Sequence, residues 1–306
     1  MKRWSYIIVG CFFIFPVISQ AQYYYYNDRY YDSKVLFELG CSIGGMNCLT
    51  DLGGKKGTGK KFIKDVNLKN TRPCFSIYTS FMYKDALCAR LELSLGNITA
   101  YDSILRNVSS SATGRYERGL NFKSTIADLQ FAIEIHPLFF NTNGEKDPPH
   151  FSPYALVGIG YFSFNPQANL NGHWYGLQPL HTEGQGFKEC PGRNEYKLHQ
   201  VNFPVGAGLK YELSPIANLR LEFVYHILTT DYLDDVSTTY IDPSLFAAYL
   251  TPAQAAIARQ LADRQSERVP SHITTPGQQR GNPENKDAFF SLQLKIGIMI
   301  GRQKRK

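Results

Sequence analysis

Residues 87–96 read Leu-Cys-Ala-Arg-Leu-Glu-Leu-Ser-Leu-Gly. In an extended chain successive side chains point to opposite sides. Leu87, Ala89, Leu91, Leu93 and Leu95 then make one face, and Cys88, Arg90, Glu92, Ser94 and Gly96 the other. A helix would scatter the same leucines around its circumference, because a helical apolar stripe needs spacings of three and four. The stretch is a strand with a greasy face and a charged one.

The same period returns seven times. Val35, Phe37, Leu39, Cys41 and Ile43 alternate with Leu36, Glu38, Gly40, Ser42 and Gly44. Further strands are predicted at Phe75–Tyr83, Ala127–His136, Pro153–Phe164, Gln200–Glu212, Leu219–Ile227 and Phe290–Ile300. Long connections follow the first, third, fifth and seventh strands (about 46–69, 97–122, 165–196 and 229–286), and shorter ones follow the second, fourth and sixth. Lys84-Asp85 reads as a tight turn. Long loops at one rim and short turns at the other form the pattern of bacterial outer-membrane barrels. A lipocalin-like barrel or an aqueous sandwich has the same period with the faces exchanged, so alternation alone does not choose. The polar positions hold charges of both signs: Glu38, Arg90, Glu92, Asp128, Glu134, Lys210, Arg220, Glu222 and Lys295. Such a set suits the lumen of a narrow barrel, where opposite charges neutralise one another and side chains fill the interior. The expected fold is an all-β, eight-stranded antiparallel transmembrane barrel over residues 34–301, plugged and without an open pore.

The ends supply the address. Lys2 and Arg3 precede an apolar run from Tyr6 to Ile18 and then Ser19-Gln20-Ala21. This order predicts a signal peptide over residues 1–21, and thirteen apolar residues are few for a membrane helix. A Tyr-rich lead-in spans 22–33. Without Lys2 and Arg3 the formal charge falls from +7 to +5, and Arg302, Lys304, Arg305 and Lys306 of a basic tail (302–306) supply most of that. The body is near neutral, which argues against nucleic acid and leaves membrane lipid as the expected partner. Beyond the leader, Cys41, Cys48, Cys74, Cys88 and Cys190 are odd in number and irregularly spaced. They indicate neither zinc nor a disulfide framework, and a bridge between Cys48 and Cys190 is the pairing their loops would allow.

No motif carries chemistry through. Gly54-Lys-Lys-Gly-Thr-Gly59-Lys60-Lys61 nearly spells a phosphate loop, but Lys61 replaces the Ser or Thr that would hold magnesium. His136 and His226 fall on inward positions; His173 and His181 bracket Trp174-Tyr175. No Ser is visibly paired with a His, as a lipid-deacylating barrel would need. Asp231, Asp234 and Asp235 complete no calcium loop and read as a solvated turn. No cofactor, metal or catalytic residue is expected. In the fourth loop, Asp242-Pro243 and Thr251-Pro252 each resemble an N-cap followed by proline, predicting short helices over 243–250 and 252–264.

The loop wording is more particular. Residues 169–186 (Asn-Leu-Asn-Gly-His-Trp-Tyr-Gly-Leu-Gln-Pro-Leu-His-Thr-Glu-Gly-Gln-Gly), 230–243 (Thr-Asp-Tyr-Leu-Asp-Asp-Val-Ser-Thr-Thr-Tyr-Ile-Asp-Pro) and 279–287 (Gln-Arg-Gly-Asn-Pro-Glu-Asn-Lys-Asp) form three blocks in order. Together they resemble the PorG-like outer-membrane β-barrel family of the Bacteroidota. The resemblance implies an eight-stranded barrel in the cell outer membrane. For founding members it also implies association with the type IX secretion machinery through periplasmic ring subunits. It carries over no catalytic residue. Within the blocks, Trp174, Tyr175, Asp231, Tyr232, Asp234, Asp235, Arg280 and Asn282 are expected to pack into a cap over the outer rim. The reading is a non-enzymatic structural or anchoring subunit of a protein-export assembly. A barrel enzyme acting on membrane lipid, or a stand-alone envelope-stabilising or small-solute barrel, is the alternative.

Overall fold

The computed structural model describes residues 34–53, 66–106, 113–140 and 149–301. The leader, the Tyr-rich lead-in, the phosphate-loop-like segment from Gly54 to Lys61 and the basic tail lie outside the described residues. Among the described residues are ten strands: β1 (Val35–Leu49), β2 (Arg72–Tyr83), β3 (Leu87–Tyr101), β4 (Asn121–Ile135), β5 (Phe151–Ser163), β6 (Gln167–Leu170), β7 (His173–Gly176), β8 (His199–Ser214), β9 (Ala217–Leu228) and β10 (Ala288–Ile300). Eight of them close a ring in the order β1-β2-β3-β4-β5-β8-β9-β10, every pair antiparallel. The register seals with Leu39 opposite Ile298 between the first and last strands. Closure gives each of the eight barrel strands a partner on both sides, which is what backbone polar groups require where water is absent.

The faces are inverted relative to a water-soluble sheet. Ile77 is 63% exposed and Ile298 58%, whereas Glu38, Arg90, Arg220 and Lys295 are fully buried. Outward apolar rows of this kind run along all eight strands, from Val35 and Leu39 round to Leu294 and Ile296. Two inward aromatic rings, Tyr78 and Tyr154, cross the lumen, and glycines make room for them. A Cβ at Gly208 would meet the Tyr154 ring, and one at Gly297 would meet the Tyr78 hydroxyl and Glu38.

The lumen has three storeys. At the short-turn end Leu36, Met82, Cys88 and Met299 form an apolar plug. At the long-loop end a larger apolar cluster includes Met46, Ile98, Phe122, Phe162, Leu233 and Phe289. The charges lie between them.

Strands β1 and β3 run past the predicted loop starts, and β4 begins before the predicted end of the second loop. Alternation fails above Met46 and Ile98, where Met46, Asn47 and Cys48, and then Ile98, Thr99 and Ala100, are buried in succession. Loops cover both faces there, so the period of two disappears although the ladder continues.

The third loop contains a hairpin where the sequence reading predicts only loop. β6 and β7 pair around Asn171 and Gly172, both at positive φ (52° and 88°). An Asn-Gly dipeptide is a strong signal for such a turn. Of the short helices, α1 (Thr113–Arg118) has no counterpart in the prediction, and α2 covers only Phe246–Tyr249. Asp242 accepts from the Ser244 N–H at 2.8 Å and shapes a turn instead of capping a helix. α3 (Pro252–Ala262) starts where predicted, on a Thr251–Gln254 capping box with proline in its first turn. It ends two residues early, and α4 (Gln265–Arg268) follows.

The third and fourth loops build a second apolar core outside the barrel wall, with Leu170, Leu180, Phe187, Phe246, Ala258 and Leu261 at its centre. Cys190 packs against this core while Cys48 belongs to the barrel's outer plug; both are free thiols, so the bridge considered for them is absent.

Candidate functional site

Charge gathers in two places, one inside the barrel and one above it. Inside, Arg90 on β3 reaches three glutamates: Glu222 at 2.6 and 3.0 Å, Glu134 at 2.7 Å and Glu92 at 3.1 Å. Arg220 on β9 binds Glu134 at 2.8 Å and also Glu38. Lys295 on β10 lies 2.5 and 2.6 Å from the Glu92 oxygens and 3.0 Å from Glu222. Tyr78 and Tyr154 donate to Glu38 and Glu222, each at 2.7 Å. Seven of the nine predicted lumen charges thus form one network across five strands.

The other two lie apart from it. Asp128 accepts from Asn202 at 2.6 Å, beside His226. Lys210 lies 3.6 Å from Glu212 and just under 4 Å from the Met82 and Met299 sulfurs. The seven charges of the network are paired and hydrogen-bonded to the degree that fully buried ions need.

The lumen also holds a Ser–His–carboxylate contact that the sequence did not reveal. His136 Nδ1 is 2.9 Å from Ser152 Oγ, and its Nε2 is 3.3 Å from Glu134. Ser152 and His136 are buried, and Tyr154 stacks on the imidazole at 4.9 Å. Glu134 is already bound by two guanidiniums. A hydroxyl so enclosed offers no approach to an acyl chain.

Above the barrel, Arg280 donates to Glu183 at 2.9 Å and to the carbonyls of Asp235 (2.8 Å) and Ala262 (3.0 Å). Arg118, on α1, grips Asp102 at 2.9 and 3.0 Å and bonds the carbonyls of Arg280 and Asp51. Asp234 accepts from the Leu52 and Val236 N–H groups, and Asp287 from that of Leu233. Asp235 accepts from Thr182 and from Tyr196, whose ring stacks on Tyr232 at 5.1 Å. Asp231 accepts from Ser237 at 2.6 Å, and the Asn282 N–H donates to Asp51 at 2.6 Å.

Six of the eight predicted cap residues meet here. Tyr175 packs on the second apolar core, and Trp174 sits on the hairpin beneath the Lys123 ammonium, 4.0 Å away. Asp234 and Asp235 are buried, so this segment is not a solvated turn; its carboxylates hold loop backbone together. Burial pushes Asp231 up to about 7 and Asp51 and Asp235 up to about 6, and holds Asp234 and Asp287 well above the usual carboxylate range. Among the described residues no three His, Cys, Asp or Glu side chains gather as a metal-ligand set. Arg118, Asp102 and Glu183 were missed, because nothing local to them distinguishes a loop charge that will be buried.

Residues 28–176 match a protein family described as a Domain of unknown function (DUF6089). No curated protein matches the chain. Solved structures similar to it include Ail of Yersinia pestis, in complex with the heparin analogue sucrose octasulfate, at 8% identity and a TM-score of 0.38, covering 88% of this chain and 100% of that one. A major outer membrane protein from Thermus thermophilus is 12% identical with a TM-score of 0.35, covering 86% and 99%. Neisserial surface protein A is 10% identical with a TM-score of 0.34, covering 87% and 97%. These are likenesses of strand arrangement, and the barrel fold stands on the pairing itself.

Proposed function

We propose that the chain is an integral protein of the bacterial outer membrane that acts through its rims, as a structural or anchoring component of a protein-secretion assembly of the type IX kind. The observation that carries the membrane assignment is the inverted barrel: apolar rows face outward and a paired ion network faces inward, in a closed ring of eight strands. In water this arrangement would expose an unbroken greasy cylinder, far beyond the few hundred Å² a soluble monomer tolerates. In a bilayer it is the stable one.

The secretion role is supported by the three loop blocks and their resemblance to the PorG-like family, and by the character of the lumen. With apolar plugs at both ends and charges locked between them, the barrel interior serves neither as a conduit nor as an active site. Work is left to the folded loops on one side and the short turns on the other, where periplasmic ring subunits would dock. The buried Ser152–His136 pair supports a non-enzymatic reading.

Two experiments test this. Alkaline carbonate extraction is expected to leave the protein in the membrane pellet; release into the supernatant overturns the membrane assignment. Deletion of the gene is expected to deplete the secreted proteome and to lose co-purifying periplasmic partners. An unchanged secretome removes the export role while leaving the barrel untouched.

A further inference from the structure

The outward positions of the eight barrel strands are almost free of charge. From Val35 on β1 to Ile300 on β10 they hold one residue with a full charge, Lys123 on β4. It stands at the long-loop end, above the apolar row of Ala127, Leu129 and Phe131. The lumen network does not need it, since those charges face the other way. Its ammonium lies 4.0 Å from the centre of the Trp174 ring.

A second lysine comes to the same sector. The Phe164 N–H donates to the Leu198 carbonyl at 3.0 Å, and the Asn165 N–H to Ser124 Oγ at 2.8 Å. The end of β5 thus ties the residue after Lys197 to the residue after Lys123. The two lysines are left about two strand spacings apart, ~10 Å. Lys197 is exposed, and Glu195, the carboxylate closest to it in the chain, is held by Gln178 at 2.7 Å. Among the described residues neither lysine forms an ion pair. On the outward faces of β5 and β8 just below, Tyr161 stacks on His199 at 6.2 Å.

Two cations, a tryptophan and a tyrosine where the apolar rows end have the composition of the headgroup level of a membrane. The anion is what this patch lacks. A lipid phosphate supplies negative charge at that height, and its acyl chains would lie on the exposed side chains of Leu129, Ile159 and Val201. Long loops belong to the outer side of such barrels, which fixes the leaflet. We propose that the wall where β4, β5 and β8 leave the apolar belt binds the phosphate-bearing headgroup of an anionic outer-leaflet lipid, with Lys123 and Lys197 on the phosphate. This site rests on the membrane assignment and is independent of the secretion role.

Trp174 makes the test direct. Trp4 and Trp174 are the two tryptophans of the chain, so Trp4→Phe leaves Trp174 as the reporter beside Lys123. The full chain with that change is reconstituted in phosphatidylcholine vesicles containing phosphatidylcholine with a nitroxide on its headgroup. Quenching of Trp174 is expected. Unlabelled phosphatidic acid should relieve it at least about fivefold more effectively than unlabelled phosphatidylcholine, the worth of one lysine near a charged surface. Lys197→Gln, which leaves the Trp174 contact intact, should lower that preference, and Lys123→Gln with Lys197→Gln should bring it to parity. Lys84→Gln, in a turn at the opposite rim, should keep the parent preference. Equal displacement by the two lipids overturns the proposal, as does a double variant that prefers phosphatidic acid as the parent does. Loss of the preference in about 1 mM inorganic phosphate would mark a soluble-anion site instead and also overturns it. Absence of quenching overturns it too. Carbonate extraction separates that result from failure of the membrane assignment, because a chain retained in the pellet but unquenched has lost only the lipid site.

Discussion

The two charged regions of this barrel use the same residue types for different work. In the lumen, guanidiniums and carboxylates bind each other: Arg90 takes Glu222, Glu134 and Glu92, and Arg220 takes Glu134 and Glu38. In the cap they pair as well, Arg118 with Asp102 and Arg280 with Glu183, but they also bind backbone. Arg118 and Arg280 hold four carbonyls between them, and Asp102, Glu183, Asp234 and Asp287 receive backbone N–H groups from Gly53, Leu120, Ser237, Thr238, Leu52, Val236 and Leu233. The difference follows from the backbone itself. Inside the barrel the ladder has already satisfied the strand N–H and C=O groups, so side chains have only one another. A folded loop has no ladder, and its buried backbone groups must be satisfied by side chains. Charge in the lumen makes a plug; charge in the cap takes the place of secondary structure.

Breaking the lumen network is expected to do the most damage. Arg90→Met takes one cation from three buried glutamates and leaves them to Arg220 and Lys295 alone, and loss of one partner of such a pair costs about 3–5 kcal/mol. Urea unfolding of the folded barrel, read by its heat-modifiable gel mobility, should register the whole amount. Arg280→Met is expected to act elsewhere. It leaves Glu183 without its counter-ion and two carbonyls unpaired at a local cost of about 2–4 kcal/mol, so the loops should become protease-sensitive while barrel mobility stays put. If Arg280→Met unfolds the barrel as readily as Arg90→Met, the two regions are one cooperative unit.

Gly208→Ala should cost about 1–3 kcal/mol by forcing a methyl group onto the Tyr154 ring. A double change with Tyr154→Phe would not relieve it, since the ring remains; Tyr154→Leu should relieve it in part.

Acidity separates the regions further. Asp51, Asp231 and Asp235 have folded pKa values raised by burial to about 6, 7 and 6, above their unfolded value. The folded cap therefore binds protons more tightly than the unfolded chain. Its contribution from these groups is whole below about pH 4 and is lost progressively as pH rises to about 7. Limited proteolysis of the loops should be faster at about pH 8 than at about pH 5, with the barrel fragment equally resistant at both. Equal loop cleavage at the two values would remove the titrating acids from the account. Trp174→Ala should have the smallest effect, about 0.5–1 kcal/mol for its exposed contact with Lys123, leaving loop and barrel resistance unchanged.

The alternation around Leu87–Gly96 was enough to place Arg90 and Glu92 on the lumen side, because a strand has only two faces. The same rule placed Glu38, Glu134, Arg220, Glu222 and Lys295. It could not say that Asp128 and Lys210 would sit outside the shared network, since that depends on heights along eight tilted strands. It also failed just above the strands' apolar rows, at Met46–Cys48 and Ile98–Ala100, where loops bury both faces. In the cap, the blocks holding Asp234, Asp235 and Arg280 stood out as wording, yet Arg118, Asp102 and Glu183 did not. A loop has no period from which to read direction, and the partners of Arg118 lie 16 to 162 residues away in the chain.

From its sequence alone this protein is a barrel of eight strands with a greasy outside and a salted inside, because a repeat of two residues is a local property that backbone geometry enforces. Tertiary structure decided which charges meet and that the loops fold into a second core. Those outcomes depend on the satisfaction of backbone groups by side chains distant in the chain, and no local pattern encodes it.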